Sequence, residues 1–226
     1  AIYESIRKRD PLEWSLLLSD AIHPNMDGHK VFASAIAQGI SGREVSLKEV
    51  GPPMPGLQHT LAQLKAHKPV KVLAMPPYDK LIGPALKQVH PEAEVAVTAW
   101  PVEGQSLAQL EGSAKKVRSM GMDLVLIAVP ASASASTTSP EEIHSHYAWI
   151  MNWSLSFGPQ QWDVVVIPPS TAKPELSPEE QRHEDFARRL IAAQDLNMIS
   201  RSQGDQTPLP DLLASWIRQQ AEASSK

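Results

Sequence analysis

From residue 70 onward the chain alternates, five times over, between a short apolar run and a longer stretch with helical periodicity. The runs are VKVLAM (70–75), AEVAVTAW (93–100), DLVLIAVP (123–130), DVVVIPPS (163–170) and a short one at 197–200. Between them lie PPYDKLIGPALKQVH, SLAQLEGSAKKVRSM ended by Gly121, EEIHSHYAWIMNWSLSFG and SPEEQRHEDFARRLIAAQ, with DLLASWIRQQ closing the series. Strand–helix alternation of this kind specifies a parallel sheet with helices on both faces. The nearly unbroken apolar runs at 123–129 and 163–167 suit strands covered on both sides. Ser177, with Pro178 and Glu180 after it, reads as a capping box opening the fourth helix. The expectation for 70–222 is therefore an α/β layer structure with five parallel strands.

Upstream the chain has a different character. Val31, Phe32, Ala35 and Ile36 recur at helical spacing between Asp27 and Ile40, with Asp27 as an N-cap and Gly39 and Gly42 as the stop. Residues 11–18 read as a loop or short helix. Residues 42–69 hold GPPMPG and a short helix, LQHTLAQLKAH, and read as a Pro/Gly-rich linker.

Composition excludes several classes of function. A net charge of −4 with no basic block argues against nucleic acid as a partner. No apolar run approaches the roughly 18 residues of a membrane span. The absence of cysteine removes disulfides, thiolate metal sites and a cysteine nucleophile. The opening AIYESIRKRD has no apolar leader and does not decide the compartment, whether secreted, periplasmic or other. No cofactor motif is present.

The stretch carrying chemistry is SDAIHPNMDGHKVFA, residues 19–33. An aspartate can fix the tautomer of a histidine that takes a nucleophile's proton. Asp20 and His23, three apart, can meet only if the backbone turns between them, and Pro24 favours such a loop. Spacing alone favours the plainer reading, Asp20 capping a turn with His23 on the surface. A metal cluster of Asp20, His23, Asp27 and His29 matches no strong ligand pattern.

The run D-x-x-H-P-N-x-x-G-H-x-x-x-A closely resembles the last block of the SGNH (GDSL-type) hydrolases, serine esterases of three-layer α/β/α, flavodoxin-like fold. The resemblance implies Asp20 and His23 as triad members, with Pro24, Asn25, Gly28 and His29 in supporting positions. It also implies a serine in a G-D-S block after the first strand, and oxyanion donors from Gly and Asn blocks, all preceding D-x-x-H. Only nineteen residues precede Asp20, and none offers a strand followed by G-D-S. The expectation is that residues 1–41 are the C-terminal remnant of such a domain. The 226 residues alone would then be inactive. The substrate implied for a complete protein is a small ester or an acylated carbohydrate. A serine from another chain of a homo-oligomer is an alternative source of the nucleophile.

Residues 70–222 retrace the same order of blocks without the chemistry. MPPYDK follows the first strand in place of G-D-S, and PASA follows the third in place of G-x-N-D. Laying GDQTPLPDLLASWI beside the first D-x-x-H block puts Asp205 opposite Asp20 and Pro208 opposite His23. The reading is a degenerate SGNH-like domain, or alternatively a binding or scaffolding module that keeps the fold. Gly204-Asp205 imitates G-D but is followed by Gln206, which is no nucleophile. The serines of ASASAS (131–136) read as a flexible loop. Tyr78 and Asp79 follow a strand's C-terminal end, where open α/β sheets bind ligands, and form the candidate ligand loop. Trp149, Trp153 and Trp162 could form a binding platform, although Trp149 and Trp153 at i, i+4 suit a core. His144 and His146, two apart on one helix, point to different faces.

Overall fold

The structure is a computed structural model that describes residues 2–20, 22–134, 139–202 and 204–224. Five strands, β1 (Val70–Ala74), β2 (Val95–Ala99), β3 (Leu124–Ile127), β4 (Asp163–Val166) and β5 (Asn197–Met198), form one sheet of order β2-β1-β3-β4-β5. Every pairing is parallel, with Val70 beside Val95, Val72 beside Leu124, Leu124 beside Asp163 and Val165 beside Asn197. This is an α/β protein of flavodoxin-like strand order.

The four residues of β3 and the three valines of β4 are buried, whereas edge strand β2 is only partly covered. The helix α5 (Tyr78–Val89) packs with the closing helix α9 (Leu209–Ala223), on one face of the sheet as the right-handed crossover rule requires. The opposite face carries α6 (Leu107–Ala114), α7 (Pro140–Ser154) and α8 (Pro178–Ala193). The capping box at Ser177 is present, and a second one opens α6 at Ser106.

One expectation about the upstream segment needs correction. Residues 57–65 do not behave as a linker, because α4 (Gln58–Lys65) buries Leu61 and Leu64, with Leu57 before it, in the core beneath the sheet. Its first turn is capped across space, since Asp163 accepts from His59 N at 3.1 Å and Thr60 N at 2.7 Å. A purely local reading could not see a cap supplied from about a hundred residues away. The helix α3 (Met26–Ser41) touches α8 but leaves most of its apolar face open. Phe32, Ile36 and Ile40 are 47%, 60% and 83% exposed, and only Val31 and Ala35 are half-covered.

Before α3 lie α1 (Ile2–Arg9) and α2 (Pro11–Ser15). This segment joins the sheet body through Leu16, which is buried in the common core, and through polar contacts. Lys30 donates to Asp195 at 2.6 Å and to the Val50 carbonyl at 2.6 Å, and Arg189 pairs with Glu13.

Candidate active site

The loop between α2 and α3 is built from backbone bonds that close on themselves. Leu18 and Pro24 form an antiparallel bridge, Ser19 N donates to the His23 carbonyl at 2.9 Å, and Asn25 N donates to the Leu17 carbonyl at 3.0 Å. Asn25, not Asp27, caps α3. Its Oδ1 accepts from Gly28 N at 3.0 Å, while its buried Nδ2 donates to the Leu16 carbonyl at 2.6 Å. One side chain thus ties the helix start to the turn that follows α2, which local propensity at Asp27 could not reveal.

Gly28 is needed for close approach. A Cβ there would lie 2.3 Å from the Leu17 carbonyl oxygen, 2.6 Å from the Tyr3 hydroxyl and 2.8 Å from Pro24 Cβ. Pro24 and Gly28 therefore pack the loop onto the first turn of α3. His29 is exposed on that helix and has no side-chain hydrogen bond among the described residues.

On this frame Asp20 and His23 meet. Asp20 Oδ1 accepts the backbone N–H of Ile22 and of His23, each at 2.8 Å, which fixes the carboxylate plane. Oδ2 then lies 2.7 Å from His23 Nδ1. The Asp20 side chain is 10% exposed, whereas the His23 ring is 68% exposed. Burial pushes the Asp20 carboxyl up, but the backbone bonds from His23 and Ile22 and the ring contact outweigh it and hold the group below its ordinary range. An ionised carboxylate at Nδ1 places the ring proton there and leaves Nε2 as an acceptor facing solvent. Such a pair can hold one tautomer and receive a proton at Nε2. Among the described residues no side chain bonds to Nε2.

The Asp205 loop repeats part of this geometry. Asp205 Oδ1 accepts from Thr207 N at 2.8 Å, as Asp20 does from Ile22 N two residues on, and α9 follows as α3 does. Pro208 stands at the N-cap of α9, so the loop has the turn and no base.

The candidate ligand loop divides. Tyr78 lines a cleft of about 250 Å³ at the C-terminal ends of β1, β3 and β4, together with Pro76, Ala128, Ser132 and Pro168, while Asp79 does not. The Tyr78 ring is buried, and its hydroxyl has no partner among the described residues. Burial raises its pKa, and the charge of Arg201 pulls the other way without overcoming it.

Three histidine contacts escaped the sequence reading because each joins distant elements. His59 Nε2 lies 3.0 Å from Asp123 Oδ1 beneath the sheet. His146 Nδ1 lies 2.7 Å from Glu111 Oε2, and His144, which burial drives toward the neutral form, is turned toward Ser15 instead, so these two do diverge. Ser134 Oγ lies 2.9 Å from His183 Nδ1, a serine–histidine contact inside the ASASAS run. The Ala131 carbonyl lies at the same 2.9 Å from Ser134 Oγ and competes with His183 for the hydroxyl proton. The last two residues of ASASAS lie outside the described residues.

Trp162 is buried and donates to the Ser154 carbonyl at 2.7 Å, which removes it from any surface platform. Trp149 and Trp153 stack with centroids 5.5 Å apart, half-buried on α7. The chain matches no protein-family model and is similar to no curated protein.

Proposed function

We propose that Asp20 and His23 are the acid–base half of a serine acyl-hydrolase centre of SGNH type, whose serine and oxyanion donors come from outside these 226 residues. The observation that carries the reading is the 2.7 Å Asp20–His23 contact with a shielded carboxylate behind an exposed ring. A histidine with only a surface role has no need of an aspartate whose second oxygen is locked by two backbone N–H groups. Two further observations favour it. The apolar stripe of α3 beside the loop has the form of a helix that lies against a sheet, and the Asp205 loop repeats the Asp20 turn within the sheet body.

The chemistry of the reading is ordinary. His23 Nε2 takes the proton of the incoming serine as its oxygen attacks the ester carbonyl, and returns it to the leaving alcohol. Asp20 stays ionised and stabilises the imidazolium. Water then releases the acid in a second round. The substrate class is an ester, with acylated carbohydrate as the family-level expectation.

The test is fluorophosphonate labelling and p-nitrophenyl acetate hydrolysis. The 226-residue chain should be inert in both, and a protein extended by its upstream coding sequence should be active and lose activity in His23→Ala. Labelling of the short chain, or unchanged activity in His23→Ala of the extended one, refutes the reading.

A second reading is a non-catalytic binding module. The cleft of about 250 Å³ beyond β1, β3 and β4 favours it, because that is where open parallel sheets bind ligands.

A further inference from the structure

Beyond the C-terminal ends of β4 and β5 lies a second, more polar cleft of about 440 Å³, lined among others by Ser170, Gln181, Arg188, Arg201, Asp205 and Gln206. Its two arginines are held by the protein in different ways. Arg201 is nearly buried, its side chain 8% exposed, and its Nε and Nη1 donate to the carbonyls of Thr171, Asp205 and Thr207 at 3.2, 3.0 and 2.7 Å. Those acceptors are neutral. The nearest carboxylate, Asp205 Oδ1, is 3.9 Å from Nη1 and accepts two hydrogen bonds from Thr207. Arg201 is therefore a shielded cation with weak compensation, a costly state without a further partner.

Arg188 is fixed from behind. Its Nε donates to the buried Glu184 at 2.7 Å and its Nη2 to Ser170 Oγ at 3.0 Å, while Nη1 lies against Met198 Sδ at 3.7 Å. Glu184 is occupied by Ser170 N at 2.6 Å and by the Ser170 hydroxyl, so both its oxygens are engaged within this network. Nη2 of Arg201 and the remaining N–H of each terminal nitrogen of Arg188 have no acceptor among the described residues.

We propose that this cleft binds the oxyanion of a small ligand, a carboxylate or a phosphate group, between Arg188 and Arg201. Planar guanidinium groups held in fixed orientation suit such a group by paired, charge-assisted bonds. The amides of Gln181 and Gln206 offer neutral contacts to the rest of the ligand. Glu184 and Asp205 balance the two arginines formally, so the cleft suits a small anion and not a polyanion. The site lies on the sheet body and is independent of the hydrolase reading.

The experiment titrates the ¹⁵N-labelled 226-residue chain with sodium glucuronate and, separately, sodium phosphate, at ionic strength held constant with sodium chloride. Glucose serves as the uncharged control. The arginine Nε–Hε resonances of Arg188 and Arg201 should shift saturably with at least one of the two anions and not with glucose, and the stronger arm names the ligand class. Arg188→Lys keeps the charge beside Glu184 but loses the fork, and should weaken binding roughly tenfold. The wild-type resonances report on the site even if that variant folds poorly. No saturable shift with either anion overturns the proposal, as does an equal response to chloride. Unchanged affinity in a folded Arg188→Lys variant overturns it too.

Discussion

Replacing Asp20 by Asn preserves the shape of the loop and removes one interaction. The amide oxygen can still accept from the backbone N–H groups of Ile22 and His23, each now 2.8 Å from Oδ1. The amide NH₂ would instead face His23 Nδ1, which lies 2.7 Å from Oδ2 in the native loop, and a donor cannot receive the Nδ1 proton. A charge-assisted bond of this kind contributes about 1.5–3 kcal/mol when shielded. With the ring 68% exposed, solvent screening reduces the pair to less than about 1 kcal/mol. That still corresponds to about a fivefold change in an equilibrium between two tautomers. Asp20→Asn should therefore turn neutral His23 from mainly Nδ1–H to mainly Nε2–H, while the melting temperature falls by less than about 4 °C. Long-range ¹H–¹⁵N correlation of the imidazole reads the tautomer directly. Mainly Nε2–H in the native chain, or no change in the variant, refutes the reasoning. The same pair has a signed pH dependence. Because the folded carboxyl titrates below its unfolded value, its stabilisation is fully present above about pH 4 and is lost as pH falls through the lower folded value.

Two further perturbations test the frame that holds the pair and the body beneath the sheet. Gly28→Ala would gain about 1 kcal/mol of helix propensity, but its Cβ meets a backbone oxygen at 2.3 Å. Overpacking of about 1–3 kcal/mol should dominate and displace the Leu17–Pro24 frame, seen as loss of the Nδ1–H signal of His23; a variant more stable than the native chain would contradict this. Asp163→Ala leaves the first-turn N–H groups of His59 and Thr60 without their acceptor, against the relief of a carboxylate whose burial raises its pKa. A net loss of about 2 kcal/mol should lower the melting temperature by roughly 4–8 °C, and an unchanged melting temperature would show that α4 does not depend on this cap.

The parallel sheet was legible because strand and helix alternate with full apolar runs, and all of β3 and the three valines of β4 are buried as such runs require. The Asp20–His23 contact was legible through the resemblance of the whole D-x-x-H-P-N block, because the three-residue spacing by itself favoured a turn-capping aspartate and a surface histidine. What the sequence hid are partnerships across distance. Asp163 caps α4, Glu184 holds Arg188 against Ser170, and Arg201 ties its loop through carbonyls, which carry no residue identity. The linker reading of 42–69 failed over 57–65 for the same reason: Pro and Gly density marks local breaks, while burial of Leu57 and Leu61 depends on a sheet built later in the chain.

The two Asp-turn helices differ in what they lie on, and that difference can be tested. α9 buries Leu213, Ala214 and Ile217 against the sheet body, while α3 leaves Phe32, Ile36 and Ile40 in solvent. On the proposed reading α3 also belongs on a sheet, one that carries the serine. Ile36→Ser should then be nearly silent in the present chain, since an exposed substitution stays within about 0.5 kcal/mol. In a protein that supplies the covering layer, the same change exposes polar surface inside an interface. The loss of about 1.5–3 kcal/mol for a buried isoleucine should lower its stability accordingly. Phe32 is a poorer probe, because its ring already contacts Tyr3 with centroids 4.5 Å apart. Thermal unfolding of Ile36→Ser in both contexts decides between the alternatives. A fall of more than about 4 °C in the 226-residue chain would mean that the α3 face already has a partner, such as a second copy. An equally silent result in the extended protein would mean that no sheet covers α3, and the hydrolase reading would lose its structural support.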